Sequence, residues 1–214
     1  MFGMGSRLPW SPELTIFFLP MHNEKWLRSK TFLDNYGLRE KEYFLFVGRF
    51  VKENGVQHLI DSYLRLSTEH PLVLIGDDTV GNLYRDHIFK NYSDHPKILL
   101  LGYKFADEYE ALLANALMYI SASELEGTSP SLLAAMGAKV CTLVNGIEEN
   151  LAALGGSGTV FKKNDYSDLI LKWQQFIDQP FQIDHMAQKG YEYVLAHYSW
   201  EQISKEYISL FSTK

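Results

Sequence analysis

The sequence predicts an α/β protein built on a doubly wound parallel sheet. Short apolar runs recur along the chain, several end in glycine, and stretches of helical length separate them. Continuous rather than alternating hydrophobicity marks strands buried on both faces, as in a parallel sheet. Strand–helix–strand units with crossovers of this length are right-handed and place helices on both faces.

Residues 1–38 stand outside the repeat. Met1–Trp10 carries one arginine and no sustained apolar core, so it is a poor signal peptide and reads as a leader. Glu13–Pro20 (ELTIFFLP) reads as a strand closed by Pro20, and Asn23–Tyr36 as a helix that stops at Gly37. Residues 1–38 are thus a leader with an interdomain strand and helix, and residues 39–214 form one domain.

Tyr43–Gly48 (YFLFVG), Pro71–Gly76 (PLVLIG) and Lys97–Gly102 (KILLLG) are the first three strands of the repeat. Gly55–Ser67 follows the first, with Val56, Leu59, Ile60, Tyr63, Leu64 and Leu66 mostly on one side. Asn82–Tyr92 and Ala106–Ala116 are the next two helices. Leu117–Ala122 (LMYISA), Lys139–Val144 (KVCTLV) and Thr159–Lys162 (TVFK) supply three more strands, with helices at Pro130–Gly137 and Tyr166–Gln179. The sequence closes on helices at Ile183–His197 and Trp200–Phe211, the last capped by Ser199. Ligands of such sheets sit outside the carboxyl ends of the strands, where backbone must approach closely. Gly48, Gly76 and Gly102 therefore face one ligand edge.

Composition narrows the function. A formal charge of −6 offers no basic field for a polyanion, which excludes nucleic acid as the main partner. No apolar run approaches the roughly 18 residues of a membrane-spanning helix. The single cysteine, Cys141, lies in an apolar run and reads as a small buried hydrophobe. It leaves no internal disulfide, which fits a reducing compartment: the cytoplasm, or the periphery of a membrane's cytoplasmic face. The seven histidines are scattered and form no metal motif with one another or with Cys141. Neither a G-x-G-x-x-G fingerprint, a Walker loop nor a G-x-S-x-G elbow is present.

Two stretches have the chemistry of an anion site. Val47–Gly55 (VGRFVKENG) leaves a strand and opens a helix, whose free N–H groups and dipole attract anions. Arg49 and Lys52 add full charges to it. Ser123–Gly137 (SELEGTSPSLLAAMG) repeats the arrangement. Ser129 is an N-cap, Pro130 sits in the first turn, and the Ser131 and Leu132 N–H groups point into the crevice. Glu126 in that loop repels phosphate, so its useful partner is a neutral polyol such as a sugar. Asp77 and Asp78 after Gly76 read as a polar turn, with a carboxylate pair or metal site as the alternative.

At VGRFVKENG together with ELEGTSPSLLAAMGA the sequence resembles glycosyltransferase family 4. The resemblance runs from about Glu42 to Phe211 and includes the ending YSWEQISKEY. It implies a Rossmann-like domain, the C-terminal, sugar-nucleotide-binding half of a retaining enzyme of GT-B fold. It implies an acceptor glycan or lipid-linked sugar held by a separate N-terminal domain or partner chain, and a metal-independent reaction without cofactor. Carried over by position, Gly48 and Arg49 match the phosphate-facing turn, and Lys52, Asn54 and Gly55 at the following helix start are further candidate donor contacts, with Lys52 the substitute for the family's lysine. Glu126 matches the first glutamate of an E-x7-E pair that contacts the donor sugar, beside Gly127 and Thr128. Ser129, Pro130, Ser131 and Leu132 match the helix start that touches the diphosphate. Tyr103 and Lys104 match the loop that meets the base, largely through backbone, near Gly76. The loop Glu126–Met136 is most similar to members that transfer rhamnose or related sugars. Two positions depart from the pattern: Ala134 stands where the second glutamate holds the ribose, and Asn54 where a lysine is usual. A non-catalytic binding subunit is therefore a competing reading, and a flavodoxin-like domain without a sugar role a third.

Overall fold

The strands are short and mostly hydrophobic, so both faces of the sheet must be covered. In the computed structural model, which describes residues 30–79, 81–198 and positions 204 and 208, they form one six-stranded sheet. Its strands are β1 (Phe44–Val47), β2 (Leu72–Ile75), β3 (Ile98–Leu100), β4 (Met118–Ser121), β5 (Cys141–Asn145) and β6 (Thr159–Phe161). The spatial order is β3-β2-β1-β4-β5-β6 and every pairing is parallel. Each of the six strands lies inside, or overlaps, a predicted apolar run.

The helices are α1 (residues 30–35), α2 (Val56–Tyr63), α3 (Leu83–Tyr92), α4 (Ala106–Ala114), α5 (Pro130–Gly137), α6 (Glu148–Leu154), α7 (Tyr166–Asp178) and α8 (Phe181–His197). Successive strand residues point to opposite faces, and two cores result. Phe44, Phe46, Leu72, Leu74, Met118 and Ile120 meet α2, α3 and α7 on one face. Leu45, Val73, Ile75, Tyr119 and Val144 meet α1, α4, α5, α6 and the end of α8 on the other. Trp173 of α7 packs edge-on against Phe44, with ring centroids 5.0 Å apart.

Several predicted boundaries are corrected. The helix after β1 ends at Tyr63 rather than Ser67, and Leu64 is exposed, because the chain turns at 64–66 instead of continuing the apolar stripe. The structure adds α6, where no helix was predicted: this two-turn element buries only Asn150, Ala153 and Leu154 and ends on Gly155. Phe181 and Gln182 extend α8 beyond its predicted start. Of the predicted helix Asn23–Tyr36, residues 30–36 are described and 30–35 are helical, and the chain turns at Gly37 with φ 65°. Leu33 and Leu38 are buried in the second core, so this part of the predicted interdomain segment packs on the sheet domain. The predicted strand Glu13–Pro20 lies outside the described residues, as does Trp200–Phe211 apart from the helical Ser204 and Ile208. Among the described residues no helix is long and apolar enough to cross a membrane.

Candidate functional site

The sheet order reverses between β1 and β4. From that pair the chain leaves toward opposite faces, into α2 on one side and α5 on the other. The divergence opens a crevice at the carboxyl ends of the two strands, where doubly wound sheets bind ligands. The loops carrying Arg49 and Glu126 are therefore neighbours across this crevice.

Three contacts lock them together. The Glu124 N–H donates to the Glu53 carbonyl at 2.8 Å. The Ser131 hydroxyl reaches the Val47 carbonyl at 3.4 Å. Gly55, with φ 63°, lies so close to Ala122 that an added Cβ would stand 2.4 Å from the Ala122 carbonyl oxygen. Only glycine fits such a position.

The lining is chemically specific. Arg49 and Lys52 are exposed, and Glu126 is half-buried. Among the described residues none of the three side chains has a hydrogen bond or ion pair, so two cations and one carboxylate stand unneutralised on the two loops. Ser129 caps α5 and is buried. Its hydroxyl lies 3.2 Å from that of Ser131, which lies 3.0 Å from the Tyr119 hydroxyl. Burial first of all keeps the Tyr119 hydroxyl protonated, with its pKa well above the ordinary tyrosine value. The cluster is thus neutral. The Ser131 N–H has no acceptor among the described residues and sits in the first turn of α5, at the positive end of its dipole. Pro130, Gly127 and Thr128 are exposed beside it, with open space where a Gly127 side chain would be.

The second flank is built from the ends of β1, β2 and β3. Gly48, Gly76 and Gly102 follow these three adjacent strands, as expected. The Gly76 N–H donates to the Gly102 carbonyl at 2.9 Å, and Gly76 lies directly against Gly48. Tyr103 is 53% exposed and donates its hydroxyl to the Asp77 carbonyl at 3.0 Å.

Some expected roles are redistributed. The Leu132 N–H is turned back to the Ser129 hydroxyl at 3.5 Å, so of the two predicted donors only Ser131 is free. The first turn of α2 spends its Gln57 N–H on the Tyr84 hydroxyl at 2.9 Å, which leaves this helix start less available to an anion than predicted. Asn54 neither caps α2 nor supplies charge: its amide donates to the Arg49 carbonyl at 2.9 Å and shapes the turn. The Lys104 ammonium lies 5.0 Å from the Tyr36 ring centroid and 3.5 Å from Glu108. Tyr36 first, then Glu108, holds its pKa above the ordinary lysine value. Only the Lys104 backbone is left for the base loop. Ala134 is half-buried, packs on the second core and offers no polar group.

Sequence reasoning missed one brace of this site. Glu124 accepts from the Tyr166 hydroxyl at 2.5 Å and lies 3.9 Å from His58, whose ring stacks on Tyr166 at 4.3 Å. Glu124 thereby ties the Glu126 loop to α2 and α7. These partners are far apart in sequence and carry no motif. Among the described residues no group of three His, Cys, Asp or Glu side chains is placed to hold a metal. A groove of about 530 Å³ lined by Lys41, Cys141 and Asp184 lies at the opposite, amino-terminal edge of the sheet.

Comparison with known proteins bears on the family and the fold. The chain is 28% identical over 177 residues to MJ1178 of Methanocaldococcus jannaschii, described as an uncharacterized glycosyltransferase; the match covers 81% of this chain and 48% of that protein. The chain spans about half the length of the curated relatives it matches. It superposes with a TM-score of 0.79 on Anabaena HepE, crystallised with UDP and glucose, at 13% identity, covering 91% of this chain and 53% of that one. The C-terminal domain of the Francisella tularensis group 1 glycosyltransferase LpcC matches with a TM-score of 0.68 at 20% identity, covering 87% of this chain and 98% of that one. At these identities the two structures establish a shared fold, that of the C-terminal domain of GT-B glycosyltransferases. The family model described as "Glycosyl transferases group 1" matches residues 30–193, and the chain belongs to that family.

Proposed function

We propose that this chain is the donor-binding half of a retaining glycosyltransferase of family 4, and that a nucleotide-diphosphate sugar occupies the crevice between β1 and β4. One observation carries the proposal: two loops on adjacent strands present unpaired Arg49 and Lys52 opposite unpaired Glu126. Arg49 and Lys52 meet the diphosphate, aided by the Ser131 N–H and the dipole of α5. Glu126 accepts hydrogen bonds from the sugar hydroxyls and orients the anomeric carbon. Tyr103 and the backbone of Gly102 and Lys104 border the base. As the anomeric bond breaks, charge gathers on the leaving diphosphate. Fixed cations, the Ser131 N–H and the dipole of α5 stabilise it without a metal. The glycosyl group, a hexose or deoxyhexose, passes to an acceptor glycan or lipid-linked sugar held by a second domain or a partner chain, in the cytoplasm or at a membrane's cytoplasmic face.

Calorimetric titration with UDP-, GDP- and dTDP-sugars tests the proposal. Saturable binding of at least one supports it, and a folded sample that binds none contradicts it. Ala134 favours a second reading, in which the chain binds the nucleotide but belongs to a non-catalytic subunit. Binding without transfer in any mixture with an acceptor-domain partner would select that reading.

A further inference from the structure

Arg85 of α3 and Asp77 form an ion pair for which the proposed donor site has no direct use. Arg85 Nε and Nη2 donate to the two Asp77 carboxylate oxygens at 2.7 and 3.2 Å, and both side chains are about four-fifths buried. Nη1 donates to Asp86 at 3.1 Å. The guanidinium also lies 3.9 Å above the centroid of the Phe89 ring. Phe89 in turn packs against Phe50, in the loop that carries Arg49, with centroids 5.7 Å apart.

The peptide at Asp77 is a meeting point. Its carbonyl accepts the Phe50 N–H at 3.1 Å and the Tyr103 hydroxyl at 3.0 Å. Its carboxylate also accepts the Asp78 N–H at 2.8 Å. The loops after β1, β2 and β3 thus converge on one backbone oxygen, and the side chain of the same residue is gripped from α3. A planar guanidinium making two parallel bonds fixes direction as well as distance, which an ammonium cannot do.

We propose that the Arg85–Asp77 pair is a positioning clamp that sets the spacing between the phosphate-facing turn at Gly48–Phe50 and the base-facing loop at Gly102–Lys104. The proposal rests on the donor-binding reading above. Neither residue touches the ligand. They act through Phe50 and Tyr103, and so matter to a ligand that must reach both loops at once, and not to a fragment that reaches one. Binding groups need placement to within about 0.5 Å, and only a ligand of fixed length senses the distance between two loops.

The test compares wild type with Arg85→Gln and Arg85→Lys by NMR titration, using UDP, GDP or dTDP (whichever wild type binds tightest) and inorganic pyrophosphate as the short probe. The clamp predicts that Arg85→Gln weakens nucleoside diphosphate binding about tenfold and leaves pyrophosphate unchanged. Arg85→Lys should resemble Arg85→Gln, because it keeps the charge and loses the fork. The Phe50 amide resonance should shift in both variants. Equal weakening toward both probes, wild-type behaviour of Arg85→Lys, or no weakening at all would overturn the clamp while leaving the donor site standing. Wild type silent to every nucleoside diphosphate would instead remove the donor reading, and the clamp with it. Should Arg85→Gln fail to fold, Asp77→Asn loosens the same pair from its other side and should show the same contrast between the probes, at a few-fold. Its absence would overturn the clamp.

Discussion

Replacing Gly76 by alanine should be far more damaging than the same change at Gly102, although both glycines follow neighbouring strands of one edge. At Gly76, φ is 134° and an added Cβ would stand 1.9 Å from the Gly48 carbonyl oxygen. The obstacle is backbone, so no side chain can swing aside. Relief to ordinary contact requires the ends of β1 and β2 to separate by about 1.5 Å. That movement breaks or stretches the Gly48 N–H bond to Ile75 and the Phe50 N–H bond to Asp77, which are 3.0 and 3.1 Å long. Two such bonds contribute about 1 kcal/mol each, and alanine at this φ adds about 1–3 kcal/mol of backbone strain. The expected loss is about 3–5 kcal/mol, a large part of a typical stability of about 5–15 kcal/mol. At Gly102, φ is 67° and nothing lies within 4 Å of the added Cβ. The cost there is left-handed strain alone, about 1–2 kcal/mol. With a urea slope of about 2 kcal/mol per molar, Gly76→Ala should lower the midpoint by about 2 M and Gly102→Ala by less than about 1 M. Equal midpoints for the two variants would refute the reasoning, because they would mean that the close approach of Gly76 to Gly48 has no energetic weight.

Other outcomes follow from the site. Arg49→Ala should weaken nucleoside diphosphate binding by about 1.5–3 kcal/mol and reduce its salt dependence, both readable by calorimetry at two ionic strengths. Glu126→Gln should leave nucleoside diphosphate affinity within about twofold, since the carboxylate does not face phosphate in this assignment, but lower the rate of sugar transfer about a hundredfold or more in a reconstituted assay. Asp77 has its pKa lowered chiefly by the hydrogen bonds from Arg85, against the opposing effect of burial. A depressed folded-state pKa means that the unfolded chain takes up the proton first as the pH falls. The stabilisation is therefore present above the unfolded value of about 3.9 and is lost as the pH drops toward the folded one. Asp77→Asn should flatten this acid limb of the stability curve, measured by urea unfolding between about pH 5 and pH 2.

The fold was legible because most strands are apolar runs and most junctions carry their own punctuation. Pro130 after Ser129 marked the start of α5 to the residue. α6 was not legible, since EENLAAL has too few buried positions to show a period and no side-chain cap announces it. The order of the strands was not written locally either. It emerges from pairing between residues some 70 positions apart, as in Phe44 against Met118. The same holds for the site. Arg49, Glu126 and Ser129 stood out by type and place, whereas the bond from Ser131 to Val47 spans 84 positions and the brace of Glu124, Tyr166 and His58 has no motif. Asp77 and Arg85 lie only eight residues apart, yet nothing in the letters distinguishes a clamp from a polar turn. Free N–H groups are legible least of all. Leu132 and Gln57 occupy the expected helix starts, but their donors are spent on Ser129 and Tyr84.

Amide chemical-shift mapping during titration with a nucleoside diphosphate probes the shared crevice most directly. The account predicts that the Gly48–Lys52 and Glu126–Leu132 amides shift together, with one dissociation constant, while those around the Cys141 groove stay still. Shifts confined to one of the two loops, or centred on that groove, would contradict it.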